Sequence, residues 1–412
     1  MKNVAPTNVA LMPFLGRWWN RSFTRVNVTI FGLLGLTYLS VNQYFAGRAK
    51  WTHGPLDVGD WLINYQGGFV RRGLIGQIFY WLTSNAHRDV GLLVMEFDAL
   101  VLILLAVTVS YLVLGTKNSW VSWIVLSPVA FAFSTYDTPG GFRKENLLFL
   151  GLALAAVATR TKPLFSHLWL GVATLVFVLA LFSWEPSAFS LPVAWWIIGQ
   201  TPLSSASVRN WRIAWLGIGF VGFGLAVAFH GSPQVSSAIC HSILSAHIST
   251  PAICTGGITY LSRPVSEEFR LLACSFPRHL WYIGWYLLAL LPVVLSGWLK
   301  RYRKIAACVA VFNLVLFAVG TDYGRWIHIL ALSFALIWLT SPERLIITRQ
   351  PNWGERIGLI AWISLWSAPW AGNPLLWRGL ADTAYLNLSH PIGFYYPWFY
   401  NWLAAKVHHL IH

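Results

Sequence analysis

One segment near the start of the chain combines two carboxylates with a pair of arginines flanked by glycines. Asp57 and Asp60 precede the sequence GGFVRRG at residues 67–73, which contains Arg71 and Arg72. Glycines let a backbone approach a ligand closely, and arginine has the shape for a bidentate grip on phosphate. A nearby carboxylate is suited to act as general base toward a hydroxyl group. The segment therefore predicts a site that binds a phosphate and deprotonates an acceptor, the alternative being a loop anchored at lipid head groups.

A second segment repeats this order of residue types within ten positions. Tyr136 and Asp137 are followed by two glycines, and then by Arg143, Lys144 and Glu145. Two bases and a carboxylate in so short a connection favour a binding or catalytic role for Asp137, Arg143 and Lys144. Glu145 opens the next predicted helix, where the helix dipole favours a carboxylate, so it also has a purely structural interpretation.

A third segment places Asp322, Arg325, Trp326 and His328 at the start of a late apolar run. Asp322, Arg325 and His328 are spaced by three residues, and on a helix they share one face. Charged groups buried among membrane helices are costly and usually functional. His328 is thus the strongest candidate among the histidines, although an Asp–Arg pair at a helix start is often structural.

Several familiar chemistries have no counterpart in the sequence. No His, Cys and Asp spacing fits a zinc or EF-hand site, and no phosphate loop or dinucleotide fingerprint is present. No serine nucleophile motif stands out. We therefore expect no metal and no cofactor.

Hydropathy shows which elements must position these residues. The chain is 56% hydrophobic and only 10% charged, and apolar runs recur along its length. Several runs approach the ~20 residues that cross a membrane as a helix. We predict an all-α polytopic membrane protein of about 11 spans. The expected spans are 28–45, 91–114, 120–134, 146–159, 164–184, 191–199, 213–230, 281–298, 305–320, 326–339 and 357–370.

The distribution of charge predicts how the spans are oriented. A cytoplasmic N-terminus divides the net charge of +15 into about +14 inside and about +1 outside. The apolar segment 74–84 is then too short to span and is expected to be an interfacial helix, since a span there would turn the basic run 299–304 outward. All three segments described above face the outside. The excess positive charge is explained by inner loops, so we expect no nucleic-acid partner.

The domain plan follows from this map. A single polytopic domain is expected over residues 1–370, with a long first outer loop at 46–90 and a large outer loop at 231–280, followed by an outer interfacial tail at 371–412. Cys240 and Cys254 lie in the large outer loop, where they either pair as a disulfide or remain free buried thiols.

This layout resembles the GT-C superfamily of membrane glycosyltransferases. In that superfamily a long first outer loop carries interfacial helices and an acidic catalytic residue, and the donor is a sugar on a polyprenyl phosphate. By this resemblance Asp60 or Asp57 is the general base, and the arginines hold the departing phosphate. Tyr65, together with the aromatic residues of the other two segments, Tyr136 and Trp326, would stack on sugar rings or flank the lipid.

The resemblance implies transfer to a glycan or lipid acceptor, in contact with membrane lipid, on the periplasmic face of a bacterial inner membrane. The arginine-rich segments also resemble the related polysaccharide polymerases and O-antigen ligases. A transporter or flippase for an anionic lipid or glycan is the main alternative of another class. A structural subunit of an envelope complex is a further one.

Overall fold

The computed structural model describes residues 12–48, 56–84, 89–247, 251–263, 276–320 and 322–366. Within these ranges the regular elements are helices, and there is no strand. The all-α prediction is therefore confirmed for the part of the chain that the structure describes. The predicted tail at 371–412 lies outside it.

The helices occur in the following order. They are α1 Met12–Arg48, α2 Leu56–Trp61, α3 Gly73–Ser84, α4 Val90–Val113, α5 Val121–Val125, α6 Phe133–Tyr136, α7 Thr138–Gly141, α8 Glu145–Ala158, α9 Pro163–Ser183, α10 Leu191–Gly199, α11 Ser205–Ala228, α12 Pro233–Ser245, α13 Gly257–Tyr260, α14 Phe276–Ala289, α15 Leu291–Leu295, α16 Trp298–Val319, α17 Tyr323–Thr340 and α18 Trp353–Leu365. Short 3-10 helices cover Glu185–Ser190, Pro251–Cys254 and Pro342–Leu345.

Four of the described helices, α4, α9, α11 and α17, are long and apolar enough to cross a membrane. The predicted count of about 11 spans is not confirmed. The expected span at 120–134 is divided into α5 and α6, because Pro128 lacks the amide proton and the freedom of rotation that a continuous helix needs. The expected span at 281–298 is likewise divided near Pro292, between α14 and α15.

Local sequence explains where several helices begin. The Asp89 side chain accepts a hydrogen bond from the Leu92 amide and caps α4, and Ser204 caps α11 in the same way. Ser232 caps α12, whose first residue is Pro233. These side chains satisfy amide groups that have no partner within the helix itself.

Helices α8 and α17 form the centre of the protein. Every residue of α17 is buried, and nearly every residue of α8 is buried too. Both helices begin with charged residues, Glu145 in α8 and Arg325 in the first turn of α17. These charged groups therefore lie near one end of the apolar core.

The connections at the opposite end of the helices also converge. The Arg160 guanidinium donates to the carbonyl oxygens of Tyr111, Leu114 and Leu339, at 3.1, 3.0 and 3.3 Å. The Lys117 amide donates to the Arg344 carbonyl at 2.7 Å. These backbone contacts bring the connections after α4, α8 and α17 together at the end of the helices opposite Glu145 and Arg325.

Part of the large loop predicted at 231–280 is ordered by a disulfide. Cys240 of α12 and Cys254 are bonded, with their Cα atoms 5.5 Å apart. The bond joins α12 to the 3-10 helix Pro251–Cys254, which packs with α13 against α2. The disulfide thus fixes this loop over the first predicted segment.

Candidate functional site

The turn that carries the two arginines has an unusual backbone. Arg72 has a positive φ of 68°, a conformation that non-glycine residues seldom adopt. The neighbouring Arg71 amide donates to the Phe229 carbonyl at 2.8 Å, which ties the turn to the end of α11. Such strain persists only where the surrounding structure enforces it, and it is frequent in functional sites.

Both arginines of this turn bind Glu185, the first residue of the 3-10 helix Glu185–Ser190. Arg72 donates through Nε to Glu185 Oε2 at 2.7 Å and through Nη2 to Oε1 at 2.8 Å, a bidentate pair. Arg71 Nη1 lies 3.3 Å from the same Oε1 atom. Burial raises the pKa of Glu185, but the Arg72 guanidinium outweighs this effect and brings it to about 2.

Asp60 lies between Arg72 and Lys144. Its Oδ1 atom is 3.7 Å from Arg72 Nη1, and its Oδ2 atom is 3.8 Å from Lys144 Nζ. These distances are too long for hydrogen bonds, and neither Asp60 Oδ1 nor Lys144 Nζ has a hydrogen-bond partner in the structure. Both side chains are buried, so Asp60 Oδ1 and Lys144 Nζ are two buried polar atoms that lack a hydrogen bond within the same group.

The ionisation of this pair is shifted by its surroundings. Burial raises the pKa of Asp60, but Lys144, Arg72, Arg143 and Arg325 together lower it below its ordinary value. Burial lowers the pKa of Lys144 to about 8, although Asp60 opposes the shift. Asp60 is therefore an anion at neutral pH, beside a lysine that loses its proton more easily than usual.

The disulfide-bonded loop covers Asp60. A Cβ atom on Gly257 of α13 would lie 2.7 Å from Asp60 Oδ1, and one on Gly59 would lie 2.4 Å from the Ile253 carbonyl oxygen. Only glycine fits at these two positions without displacement of the backbone. Asp60 is thus enclosed by close contact between α2 and this loop.

A second charged group surrounds Arg325. Its Nε and Nη2 atoms donate to Glu145 Oε1 and Oε2 at 2.7 and 2.8 Å, and Nη1 donates to Asp322 Oδ2 at 2.7 Å. The guanidinium carbon also lies 5.4 Å from the ring centroid of Trp184 and 5.7 Å from that of Trp326, as cation–π pairs. Arg325 is therefore saturated by the protein itself.

We call these sets the Arg72 group (Asp60, Arg71, Arg72, Lys144 and Glu185) and the Arg325 group (Glu145, Asp322 and Arg325). Among the described residues, the ion pairs of the Arg72 group join three cations to two carboxylates, whereas those of the Arg325 group join one cation to two carboxylates. The groups are adjacent, since the charge of Arg325 acts on Asp60. Positive charge is concentrated in the Arg72 group, which is where an anion is favoured.

The structure thus brings together residues from all three predicted segments. The remaining candidates have other surroundings. The Asp137 side chain is buried and accepts from the Gly140 amide at 3.0 Å, as the cap of α7. Tyr65 is half-buried and stacks on Phe69 with ring centroids 5.2 Å apart. The side chains of Asp57 and Tyr136 lie outside the described residues.

His328 sits among core side chains. Its ring stacks on Phe133 at 4.2 Å, meets Phe149 edge-on at 5.1 Å, and places Nδ1 2.9 Å from the Val129 carbonyl oxygen. These contacts are those of a packed structural residue. Its predicted catalytic role stays a prediction that the geometry does little to support.

Sequence reasoning did not select Glu185, which the structure places at the centre of the Arg72 group. Its signal was a carboxylate directly after a long apolar run, before Pro186. Asp98 was also passed over, although it is fully buried within α4 and lies in the field of Arg143 and Glu145. A carboxylate inside an apolar helix is itself a reason to expect a partner. Among the described residues, no three His, Cys, Asp or Glu side chains are grouped as metal ligands.

The fold and this cluster define a helical membrane protein with a buried charged centre at one end of its helices. Residues 57–273 match the model of the family described as "Uncharacterised membrane protein Rv1490". The match covers just over half of the chain, so the protein belongs to this family. No curated protein and no solved structure matches the chain. The matched range contains the whole Arg72 group.

Proposed function

We propose that this protein is a membrane glycosyltransferase that uses a sugar linked to a polyprenyl phosphate or pyrophosphate, on the extracytoplasmic face, in cell-surface glycan assembly. The observation that carries the proposal is the Asp60 carboxylate, which is buried, ionised and close to several cations at the end of a helical membrane domain. A carboxylate and cations in one enclosed site match the needs of transfer from a phosphate leaving group.

In this scheme the acceptor hydroxyl donates a hydrogen bond to Asp60 Oδ1, the atom without a partner. The hydroxyl oxygen bonds to the anomeric carbon while the bond from that carbon to the phosphate oxygen breaks. The electron pair leaves with the lipid phosphate, and the hydroxyl proton passes to Asp60. The low pKa of Asp60 makes it a weak base, which suits proton transfer late in the reaction, when the phosphate is already leaving.

The cations of the Arg72 group stabilise the departing phosphate. Arg71 and Arg72 share the single Glu185 carboxylate, and Arg72 Nη1 lies 3.7 Å from Asp60 Oδ1 without a hydrogen bond to it, so two guanidinium charges are available to an anion beside Asp60. Lys144 is placed to orient the acceptor hydroxyl beside Asp60. The Arg325 group holds α8 and α17 together and positions Lys144 through its neighbour Glu145.

A transporter or flippase is the rival function. Transporters place charged groups near the middle of their helices, often where a helix is broken. Here the ion pairs described above lie at or beside helix ends, and the body of α17 is apolar and packed. This arrangement favours an enzyme at one membrane face over a path through the protein.

The test compares lipid-linked glycans in cells with and without the gene by mass spectrometry. The proposal predicts a glycan that lacks one sugar, restored by the wild-type gene but not by Asp60→Asn. Accumulation of single repeat units would instead identify a polymerase. Unchanged glycans would contradict the proposal, and complete glycans retained on the inner face would indicate a flippase.

A further inference from the structure

An apolar groove of about 440 Å³ lies in the helical domain, and its lining residues are separate from those of the Arg72 and Arg325 groups. Its walls are formed by the 3-10 helix Glu185–Ser190 with α10, by α11 and by α16. Its volume is in the range of about 300–1,000 Å³ that is typical of ligand sites. None of the described residues that line it is charged, and four of them are the phenylalanines Phe189, Phe220, Phe223 and Phe312.

The groove and the Arg72 group are connected through one short element. Glu185, the first residue of the 3-10 helix, binds Arg72 at 2.7 Å, and Ala188 of the same helix lines the groove. A 3-10 helix rises about 2 Å per residue, so these positions are roughly 6 Å apart along its axis. One ligand is able to contact both.

The chemistry of the two sites specifies what such a ligand must be. The groove offers only apolar contact, and one of its walls is α11, a helix long and apolar enough to span a membrane. The Arg72 group carries an excess of positive charge, as described above. A hydrocarbon chain gains by leaving water, and a phosphate gains by pairing with guanidinium groups.

We propose that the groove binds the hydrocarbon chain of a single-chain lipid phosphate whose phosphate is held by Arg71 and Arg72. The proposal deepens the proposed function, on which it rests for the nature of the head group. It assigns the chain a defined path between the 3-10 helix, α11 and α16.

Cys308 provides a reporter for this proposal, because it is an exposed free thiol that lines the groove. The full-length protein, with Cys274→Ser so that Cys308 is the one cysteine outside the Cys240–Cys254 disulfide, is placed in phosphatidylcholine nanodiscs. The rate of Cys308 alkylation by N-ethylmaleimide is then measured by mass spectrometry, with and without geranylgeranyl monophosphate. We expect the lipid phosphate to slow alkylation severalfold. Arg71→Gln should raise the concentration of lipid phosphate that gives half of this protection by about tenfold, because one charge-assisted contact is lost.

Two further arms identify the occupant. Geranylgeraniol lacks the phosphate and should protect poorly, and phosphatidic acid tests an ordinary membrane lipid. Equal protection by geranylgeraniol, or by phosphatidic acid, would overturn the proposal in favour of a general lipid contact. No protection by the lipid phosphate would overturn it outright.

A matched pair of variants tests the groove without the thiol. A Cβ atom on Gly219 would lie 2.6 Å from Leu191 in the groove wall, whereas one on Gly217 of the same helix would meet nothing within 4 Å. Native mass spectrometry should therefore show less bound geranylgeranyl monophosphate for Gly219→Leu than for Gly217→Leu, and equal binding would contradict the assignment. The alkylation and native mass spectrometry experiments measure lipid binding and do not depend on catalytic turnover. Binding in the groove with unchanged cellular glycans would reject the proposed function alone.

Discussion

The two arginine–glutamate pairs of the site have nearly the same geometry but different surroundings. Arg72 binds Glu185 and Arg325 binds Glu145, each through two hydrogen bonds of 2.7 and 2.8 Å. The Arg72 side chain is 24% exposed, and near it lies a carboxylate that it does not hydrogen-bond. The Arg325 side chain is 6% exposed and is completed by Asp322 at 2.7 Å.

This difference divides the site into a reactive half, which is the Arg72 group, and a structural half, which is the Arg325 group. Buried polar atoms without partners are costly, and proteins retain them where a ligand is to be bound. Such atoms occur at Asp60 and Lys144 in the Arg72 group, whereas every nitrogen of the Arg325 guanidinium has a carboxylate partner. We therefore expect chemistry in the first group and mainly stability from the second.

The largest expected effect on stability comes from breaking the structural half. Arg325→Met leaves Glu145 and Asp322 without their cation, and loss of one partner of a buried pair costs about 3–5 kcal/mol. Arg71→Met removes a partly exposed contact and should cost about 1 kcal/mol or less. Unfolding of both variants in detergent, followed by tryptophan fluorescence, measures the difference. Equal losses would remove the distinction between the two groups.

Replacement of Arg71 by lysine tests the reactive half. Lysine keeps the charge but loses the planar fork that grips phosphate, so turnover should fall by about tenfold with little change in stability. Arg349→Lys is the matched control, because Arg349 forms an exposed bidentate pair with Glu355 at the other end of the helices. A head-group anchor would tolerate Arg71→Lys, since lysine also reaches the interface. Unchanged turnover in that variant would therefore favour the anchor.

The last effect on stability concerns its dependence on pH. Because the pKa of Lys144 is about 8 in the folded protein and near 10.5 when unfolded, the unfolded state binds more protons between these values. The free energy of unfolding should therefore rise with pH from about 8 to about 10.5, and Lys144→Met should remove that rise. Lys162→Met, at an exposed position, is the control. If the free energy of unfolding still rises with pH in Lys144→Met, another titratable group is responsible for the rise.

The sequence predicted the helical class, several helices and most residues of the charged centre, but it did not predict how other apolar runs divide into short helices. Hydropathy located α4, α9, α10 and α17 to within a few residues, because their apolar runs are continuous. It did not predict that residues 120–134 divide into short helices. Pro128 interrupts this apolar run, which hydropathy alone predicts to be one span. Runs of apolar residues report burial more directly than they report continuous helix.

The site was predicted as three segments, and the pairing between them came only from the structure. Nothing in the spacing of Arg72 indicates that its partner is Glu185, more than a hundred residues later. Likewise, the segment containing Glu145 supplies one residue to each group, since Lys144 faces Asp60 while Glu145 faces Arg325. Such pairings depend on how α2, α8 and α17 pack, which local patterns do not encode.

The most direct test of the division into two halves compares the variants Asp60→Asn and Asp322→Asn. Each replaces a carboxylate by an amide of the same shape, so turnover and unfolding are measured side by side for both. We predict that Asp60→Asn lowers transfer by about 10² to 10⁴ while the protein remains folded, because an amide is unable to take the acceptor's proton. Asp322→Asn should keep turnover within about tenfold of the wild type, since its amide oxygen still accepts a hydrogen bond from Arg325. Full transfer in Asp60→Asn, or an equal loss in Asp322→Asn, would contradict the account.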